Sequence, residues 1–216
     1  MSELWAYAVA HQDELVRQTV RHLYLVGVAM AVAVAIGLPL GVAVVRRPRA
    51  RGVVLGFANI MQTVPSLALF GFLIPLPLIG GADARPAIIA LMLYALLPIV
   101  KNTVTGIRTV PADVVEAANA MGLSRCQLLV RVELPLAMPV ILAGIRIAVV
   151  ISVGTATIAA AAGAEGLGVF IFRGLETYNN HATLTGAIPA AMMALGLDGL
   201  LAALERRLRV TRGAMW

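Results

Sequence analysis

Long uncharged stretches dominate the chain, and its polar residues fall in short clusters between them. Residues 23–45 carry no charge, and 52–82 carry none over 31 positions. Residues 86–100 form a shorter run that extends through Asn102 and Thr103. Residues 147–164 supply 18 more, lengthened by 135–145 if Arg146 is tolerated, and 177–197 are uncharged over 21 positions. A bilayer core about 30 Å thick takes about 20 helical residues to cross, so the pattern predicts five spans. A sixth arises only if 52–82 divides, because Pro65, Pro75 and Pro77 interrupt it. The first run is too long for the apolar core of a signal peptide. It follows an acidic flank and ends in Arg46-Arg47-Pro48-Arg49-Ala50-Arg51, which reads as a stop-transfer cluster.

Basic residues set the expected orientation, since they gather on the cytoplasmic side. With five spans and the N-terminus outside, residues 46–51, 101–133 and the C-terminal tail face the cytoplasm with twelve Lys and Arg. Arg17, Arg21, Arg85 and Arg173 lie outside, and Arg146 falls within or beside a span. The predicted organisation is an external, partly amphipathic lead-in over 1–22, a transmembrane domain over 23–204 with a cytoplasmic loop at 105–135, and a cytoplasmic tail over 205–216.

Composition narrows the class. The 216 residues are 60% hydrophobic and 13% charged, with a mean hydropathy of +0.91. A soluble domain carries roughly 25% charged residues, so half that density argues against a soluble enzyme and against a disordered tail. The net charge of +6 suggests nucleic acid only until its distribution is considered: the arginines sit where cytoplasmic loops fall. No nucleic-acid partner is expected. A single cysteine, Cys126, excludes an internal disulfide and any multi-cysteine metal site. His11, His22 and His181 share no ligand spacing. There is no phosphate-binding G-x-x-x-x-G-K-[ST] and no paired-carboxylate or nucleophile–base set. The chain is expected to have no catalytic residues, metal or cofactor.

The cytoplasmic loop reads as two helices with a sharp joint. Pro111 suits a first helical position and Asp113 the first turn, where the helix dipole favours an acid. Val114, Ala117, Ala118 and Met121 follow at helical spacing as an apolar stripe, with Glu116 and Asn119 on the other side. Gly122 is placed to close the helix with positive φ. Ser124 and Gln127 form a capping box that opens the next helix, which Pro135 and Pro139 disrupt or re-aim as it enters the membrane. Ala117, Ala118 and Ala120 allow another backbone to approach closely. Such a unit is a lever for transmitting force; the plainer alternative is a surface helix packed on the membrane domain.

In the second span Asn59, Gln62, Thr63 and Ser66 surround Pro65, which deprives the Met61 carbonyl of its helical partner. Polar residues at such a break line a water-filled path or serve as interhelical hydrogen bonds. Asn102, Thr103, Ser152, Thr155 and Thr157 are weaker candidates of the same kind. Arg146 must face the bundle or snorkel to the cytoplasmic boundary, and snorkelling is the simpler expectation. Asp198, seven residues before Glu205, calls for the same caution, and neither residue makes a proton relay by itself.

The run Glu116-Ala117-Ala118-Asn119-Ala120-Met121-Gly122, then nine residues, then Val132-Glu133-Leu134-Pro135, resembles the EAA loop of binding-protein-dependent ABC importer permeases, E-A-A-x3-G-x9-I-x-L-P. Only Val132 departs, conservatively. The resemblance implies an all-α, type I importer-like permease of about five transmembrane helices, whose coupling helix near 112–122 docks on a cytoplasmic ATPase through Glu116, Ala117, Ala118, Gly122, Leu134 and Pro135. It implies three partners: that ATPase, a second permease subunit, identical or paralogous, and an extracytoplasmic solute-binding protein.

Further segments are similar to the osmoprotectant branch: Gln62-Thr63-Val64-Pro65-Ser66-Leu67-Ala68-Leu69, Tyr94-Ala95-Leu96-Leu97-Pro98-Ile99, Gly154-Thr155-Ala156-Thr157 and Ile171-Phe172-Arg173-Gly174. That branch imports glycine betaine, carnitine, choline and related solutes. The implied pathway residues are Asn59, Gln62, Thr63, Pro65, Ser66 and Thr155. Glu165 stands where the family usually has glycine. Quaternary ammonium groups are held by aromatic cages, yet the eleven aromatics form no cluster, so selection is expected on the binding protein. The rivals are a permease of the same superfamily for an amino acid or other small solute, and an ion-gradient transporter. The latter needs repeats and an intramembrane acid; no clear repeat is visible, and Asp198 is the one such acid.

Overall fold

A computed structural model describes residues 2–77, 79–81 and 84–213. Within them the chain forms α1 (Ser2–Ala10), α2 (Gln12–Val44), α3 (Pro48–Thr63), α4 (Ser66–Leu73), α5 (Ala84–Arg108), α6 (Ala112–Ala120), α7 (Arg125–Leu128), α8 (Leu134–Ala159), α9 (Gly168–Glu176) and α10 (Asn180–Gly213). A π-helical turn, Leu129–Glu133, joins α7 to α8, and a 3-10 turn, Ala160–Ala162, follows α8. Among the described residues α2, α5, the continuous stretch Arg125–Ala162 and Asn180–Arg207 are each long and apolar enough to cross a membrane. The bent pair α3–α4 makes a fifth if counted as one span.

The lead-in expected over 1–22 is two elements. α1 ends at Ala10, and from Gln12 the chain is already in α2, whose 33 residues extend about 50 Å, well beyond a bilayer core. The 52–82 run is not one straight crossing either: α3 and α4 meet at 100°. The last 177–197 run belongs to a helix reaching Gly213, so the boundary drawn at 204 lies inside α10. Residues 214–216 of the expected tail are outside the described residues.

α5 is the centre of the bundle, packed on α2 and α8. Where α2 crosses it, a β-carbon on Gly41 would lie 2.7 Å from Thr103 Cβ, and on α8 a β-carbon on Gly144 would lie 2.7 Å from the Pro98 carbonyl oxygen. Small residues thus bring backbones together where lipid supplies no hydrophobic drive. Phe70, Leu91, Ile99, Val153 and Ala156 fill the main core. A second cluster of Val44, Val100, Val104, Ile107, Ala137 and Ile141 sits towards the end that carries 108–133. α10 leaves a broad apolar face exposed, including Met192, Leu195 and Leu200.

Candidate coupling arm and translocation pocket

The arm is built from local capping chemistry. Pro111 (φ −57°, ψ 136°) stands just before α6, one position earlier than expected, and Asp113 occupies the first turn. At the far end Gly122 has φ +79°. Its N–H donates to the Asn119 carbonyl (2.9 Å), and the Leu123 N–H donates to the Ala118 carbonyl (3.3 Å). These two bonds are the Schellman closure, with glycine at the left-handed position. A β-carbon on Gly122 would meet nothing within 4 Å, so within this chain the backbone conformation, not space, calls for glycine. The capping box follows: Ser124 N–H donates to Gln127 Oε1 (2.8 Å), and Gln127 N–H to Ser124 Oγ (3.3 Å).

The expected apolar stripe is only partly inward. Ala118 is buried and Val114 half-buried, whereas Ala117 is exposed and Met121 is 73% exposed. Glu116, Ala117, Ala120 and Met121 together form an uncovered face. Leu134 and Pro135 are half-buried at the start of α8.

Of the two expected outcomes at Pro135 and Pro139, disruption or re-aiming of the helix, disruption does not occur. The chain is helical from Arg125 to Ala162, and the π turn relieves the conflict. The Leu134 N–H bonds the Leu129 carbonyl five residues back, and the widened turn shifts the carbonyls that the Pro135 ring would otherwise strike.

Glu133, a residue of the loop motif, has a partner that local spacing does not predict. It is 6% exposed and accepts from Arg46 Nη2 through both carboxylate oxygens, each at 2.8 Å. This ion pair ties the end of α2 to the exit of the arm. No spacing rule links residues 87 apart.

At the second site, Val64 (φ −69°, ψ 126°) and Pro65 (φ −58°, ψ 137°) are extended and separate α3 from α4. A residue before proline is pushed to this region. Gln62, Thr63, Val64, Pro65 and Ser66 line a cavity of about 370 Å³ with Tyr94, Ile151 and Thr155. Two hydrogen bonds hold the break to α5: Gln62 Nε2 donates to the Tyr94 carbonyl (2.8 Å), and the Tyr94 hydroxyl donates to the Val64 carbonyl. The cavity gathers five of the six expected pathway residues; Asn59 is exposed and lies outside its lining. Tyr94 joins them as an addition the sequence did not single out.

Apart from Thr155, the weaker candidates lie outside the cavity lining. Asn102 and Thr103 bond carbonyls four residues back, at Pro98 and Ile99. Thr157 bonds the Gly154 carbonyl, and Ser152 is buried beside Met30 Sδ.

Arg146 is paired with two acids. Its Nε lies 3.2 Å from Asp198 and its Nη1 3.4 Å from Glu205. The two acids, seven residues and two turns apart, share one side of α10 and hold the cation against that helix.

At the end opposite the arm, α2 is fastened to the segment after α8. Gly166 N–H donates to Gln18 Oε1 (2.7 Å) and Leu167 N–H to His22 Nδ1 (3.3 Å), while His22 Nε2 lies 3.2 Å from the Val153 carbonyl. Arg173 forks onto Glu14 at 2.7 and 3.0 Å, and Glu165 pairs with Arg21 at 2.9 Å. Among the described residues no group of His, Cys, Asp and Glu could hold a metal ion.

The chain is thus a helical membrane bundle with a short capped arm at one end and an open, polar, proline-broken cavity on its flank. Residues 33–210 match the family described as binding-protein-dependent transport system inner membrane component, and the chain belongs to that family, an inner-membrane, multi-pass class. It is 39% identical over 96% of its length to the glycine betaine/carnitine/choline transport system permease protein OpuCB of Bacillus subtilis, covering 94% of that protein. It is 42% identical over 92% of its length to the osmoprotectant import permease protein OsmW of Salmonella typhimurium, covering 94% of it. Among solved structures, a chain of the inward-facing MetNI methionine ABC transporter superposes with a TM-score of 0.84 at 24% identity. That match covers 92% of this chain and 98% of the other, and it supports the fold.

Proposed function

We propose that this chain is the membrane-spanning permease subunit of an ABC importer that moves osmoprotectants such as glycine betaine, choline or carnitine into the cell. It is not itself an enzyme. ATP is hydrolysed on a partner ATPase that grips α6; a solute-binding protein delivers cargo at the opposite end. Two permease subunits, this one and an identical or paralogous copy, enclose the path. The arm end is cytoplasmic and the α1/α9 end extracytoplasmic, in keeping with the twelve-to-four distribution of basic residues.

The observation that carries this reading is the arm. α6 is closed by Gly122, presents Glu116, Ala117, Ala120 and Met121 outward, and is joined by the tight capped turn 121–124 to a stretch that runs helical from Arg125 through the π turn into a spanning helix. A push on α6 is therefore delivered to α8 and, through the Arg46–Glu133 pair, to α2. Closure of the ATPase dimer moves the coupling helices and switches access. Gln62, Thr63, Pro65, Ser66 and Thr155 give the solute a polar passage. The cavity offers one aromatic ring, Tyr94, where a cage for a quaternary ammonium needs several, so high-affinity selection rests with the binding protein.

The test is uptake into proteoliposomes holding the permease, its ATPase and its binding protein. Glycine betaine, carnitine or choline should accumulate with internal or external ATP on the ATPase side and no ion gradient. Accumulation of an amino acid alone would shift the substrate class. Accumulation on an ion gradient without ATP would replace the mechanism.

A further inference from the structure

α9 ends in the same way as α6, but with a different residue at the critical position. Thr177 N–H donates to the Arg173 carbonyl (3.1 Å), Tyr178 N–H to the Leu175 carbonyl (3.4 Å) and Asn179 N–H to the Gly174 carbonyl (2.8 Å). Tyr178 takes the left-handed position with φ +53°, and among the described residues it is the one non-glycine with positive φ. Glycine adopts that conformation without steric cost and a β-carbon opposes it. Nothing in the chain repays the choice. The Tyr178 side chain is 95% exposed and makes no hydrogen bond or ring contact with a described residue.

The turn is also rigid. Asn179 Oδ1 accepts from the N–H groups of His181 (3.0 Å) and Ala182 (3.2 Å), capping α10. A β-carbon on Gly174 would strike the Thr183 backbone and hydroxyl. Tyr178 is thus a large aromatic carried on a fixed backbone, with exposed Leu175 nearby (58% exposed). Preorganised aromatics are typical anchors of protein interfaces, because little freedom is lost when they bind. The surrounding residues 176–180, Glu-Thr-Tyr-Asn-Asn, are polar and mostly exposed, which suits a watery protein interface better than acyl chains.

We propose that Tyr178, with Leu175 beside it, is an anchor by which this chain grips the solute-binding protein. The inference rests on the reading above, in which this end of the bundle is extracytoplasmic. The partner site it fits is an apolar pocket with a hydrogen-bonding group at its floor or rim for the phenol.

The experiment uses the assembled transporter in lipid nanodiscs and its solute-binding protein, loaded in turn with glycine betaine, carnitine and choline. Stimulation of ATP hydrolysis is titrated for the wild type, Tyr178→Gly and Tyr178→Phe. Tyr178→Gly should raise the half-stimulating concentration by about tenfold or more, with basal hydrolysis unchanged and the unfolding temperature equal or higher. Tyr178→Phe should stay within about threefold. A purely structural role predicts that glycine is neutral throughout, and unchanged stimulation by Tyr178→Gly would overturn the anchor. That result would leave the ring to lipid or to a second copy of the chain. Loss of basal hydrolysis or lowered stability in Tyr178→Gly would overturn it as well. A wild-type complex that no loaded binding protein stimulates would instead bring down the importer reading, and this inference with it.

Discussion

α6 and α9 are both nine residues long and close with the same pair of backbone bonds, yet one uses Gly122 and the other Tyr178 at the left-handed position. Hydrogen bonding alone would favour glycine in both. The difference lies in what must approach from outside. At α6 the position is bare, and beside it the exposed face carries the short side chains of Ala117 and Ala120 between the longer Glu116 and Met121. At α9 it carries the largest exposed side chain of the turn. The fastenings differ as well: the arm is secured by a half-buried ion pair between residues distant in the chain, and the opposite end by backbone N–H groups seated on side chains of α2.

The first way to break the comparison is Gly122→Asp. A β-carbon at φ +79° adds strain of about 1 kcal/mol, and a carboxylate is placed beside the exposed face of α6, where we propose the ATPase docks. No spanning helix includes this joint, so the protein should still insert. Uptake should vanish and co-purification with the ATPase should be lost. Normal binding and uptake would make α6 only a surface helix.

Next in size is the ion pair. Glu133 is 6% exposed, whereas the Arg46 side chain is 47% exposed. Arg46→Ala strands a carboxylate away from water and should cost about 1–3 kcal/mol. Glu133→Gln leaves an arginine that water can reach and should cost less. Thermal unfolding of the two variants checks the order. The exchanged pair Arg46→Glu/Glu133→Arg should recover part of the transport that Arg46→Glu loses, which a merely space-filling role would not give.

These residues also mark what a sequence can disclose. The α6 closure and the Ser124–Gln127 box were legible because every partner lies within five positions. The Val64–Pro65 break was legible too, but Pro98 and Pro139 gave the same signal and sit inside unbroken helices. Only at residue 65 does the preceding residue leave the helical region. Arg46 with Glu133 and Arg146 with Asp198 and Glu205 were illegible, because their pairing comes from the crossing of helices and not from spacing. The exposed side of α6 was misjudged for a related reason. An alanine-rich stripe has too little hydrophobic contrast to say which part of it turns inward, and Ala118 alone did so completely.

At the other end the comparison sharpens with Gln18→Leu. Gln18 is 5% exposed and accepts from the Gly166 N–H. Leucine fits the volume and removes the acceptor, leaving a backbone donor unpaired at a cost of about 1–2 kcal/mol. The unfolding temperature should fall while basal ATP hydrolysis in the assembled complex survives. Loss of hydrolysis without loss of stability would mean that this end also governs the arm.

The smallest effect should come from Glu165→Gly, which restores the residue expected at that position in the family. The Arg21–Glu165 pair is short, at 2.9 Å, but both side chains are more than half exposed. Such pairs contribute about 0–1 kcal/mol, since water and salt screen them and two flexible side chains must be held still. Glycine also frees the unfolded chain, in a segment that already contains Gly163, Gly166 and Gly168, which adds a few tenths of a kcal/mol against the variant. The Gln18 and His22 bonds to residues 166 and 167 do not depend on the carboxylate. Stability should therefore change by less than about 1 kcal/mol, and uptake should stay within about twofold of the wild type. The check is unfolding at low and high salt alongside uptake. A wild-type stability that drops with salt to the level of the variant would mean that this exposed pair holds its end as firmly as the half-buried Arg46–Glu133 pair holds the arm, and the contrast between the two ends would fail.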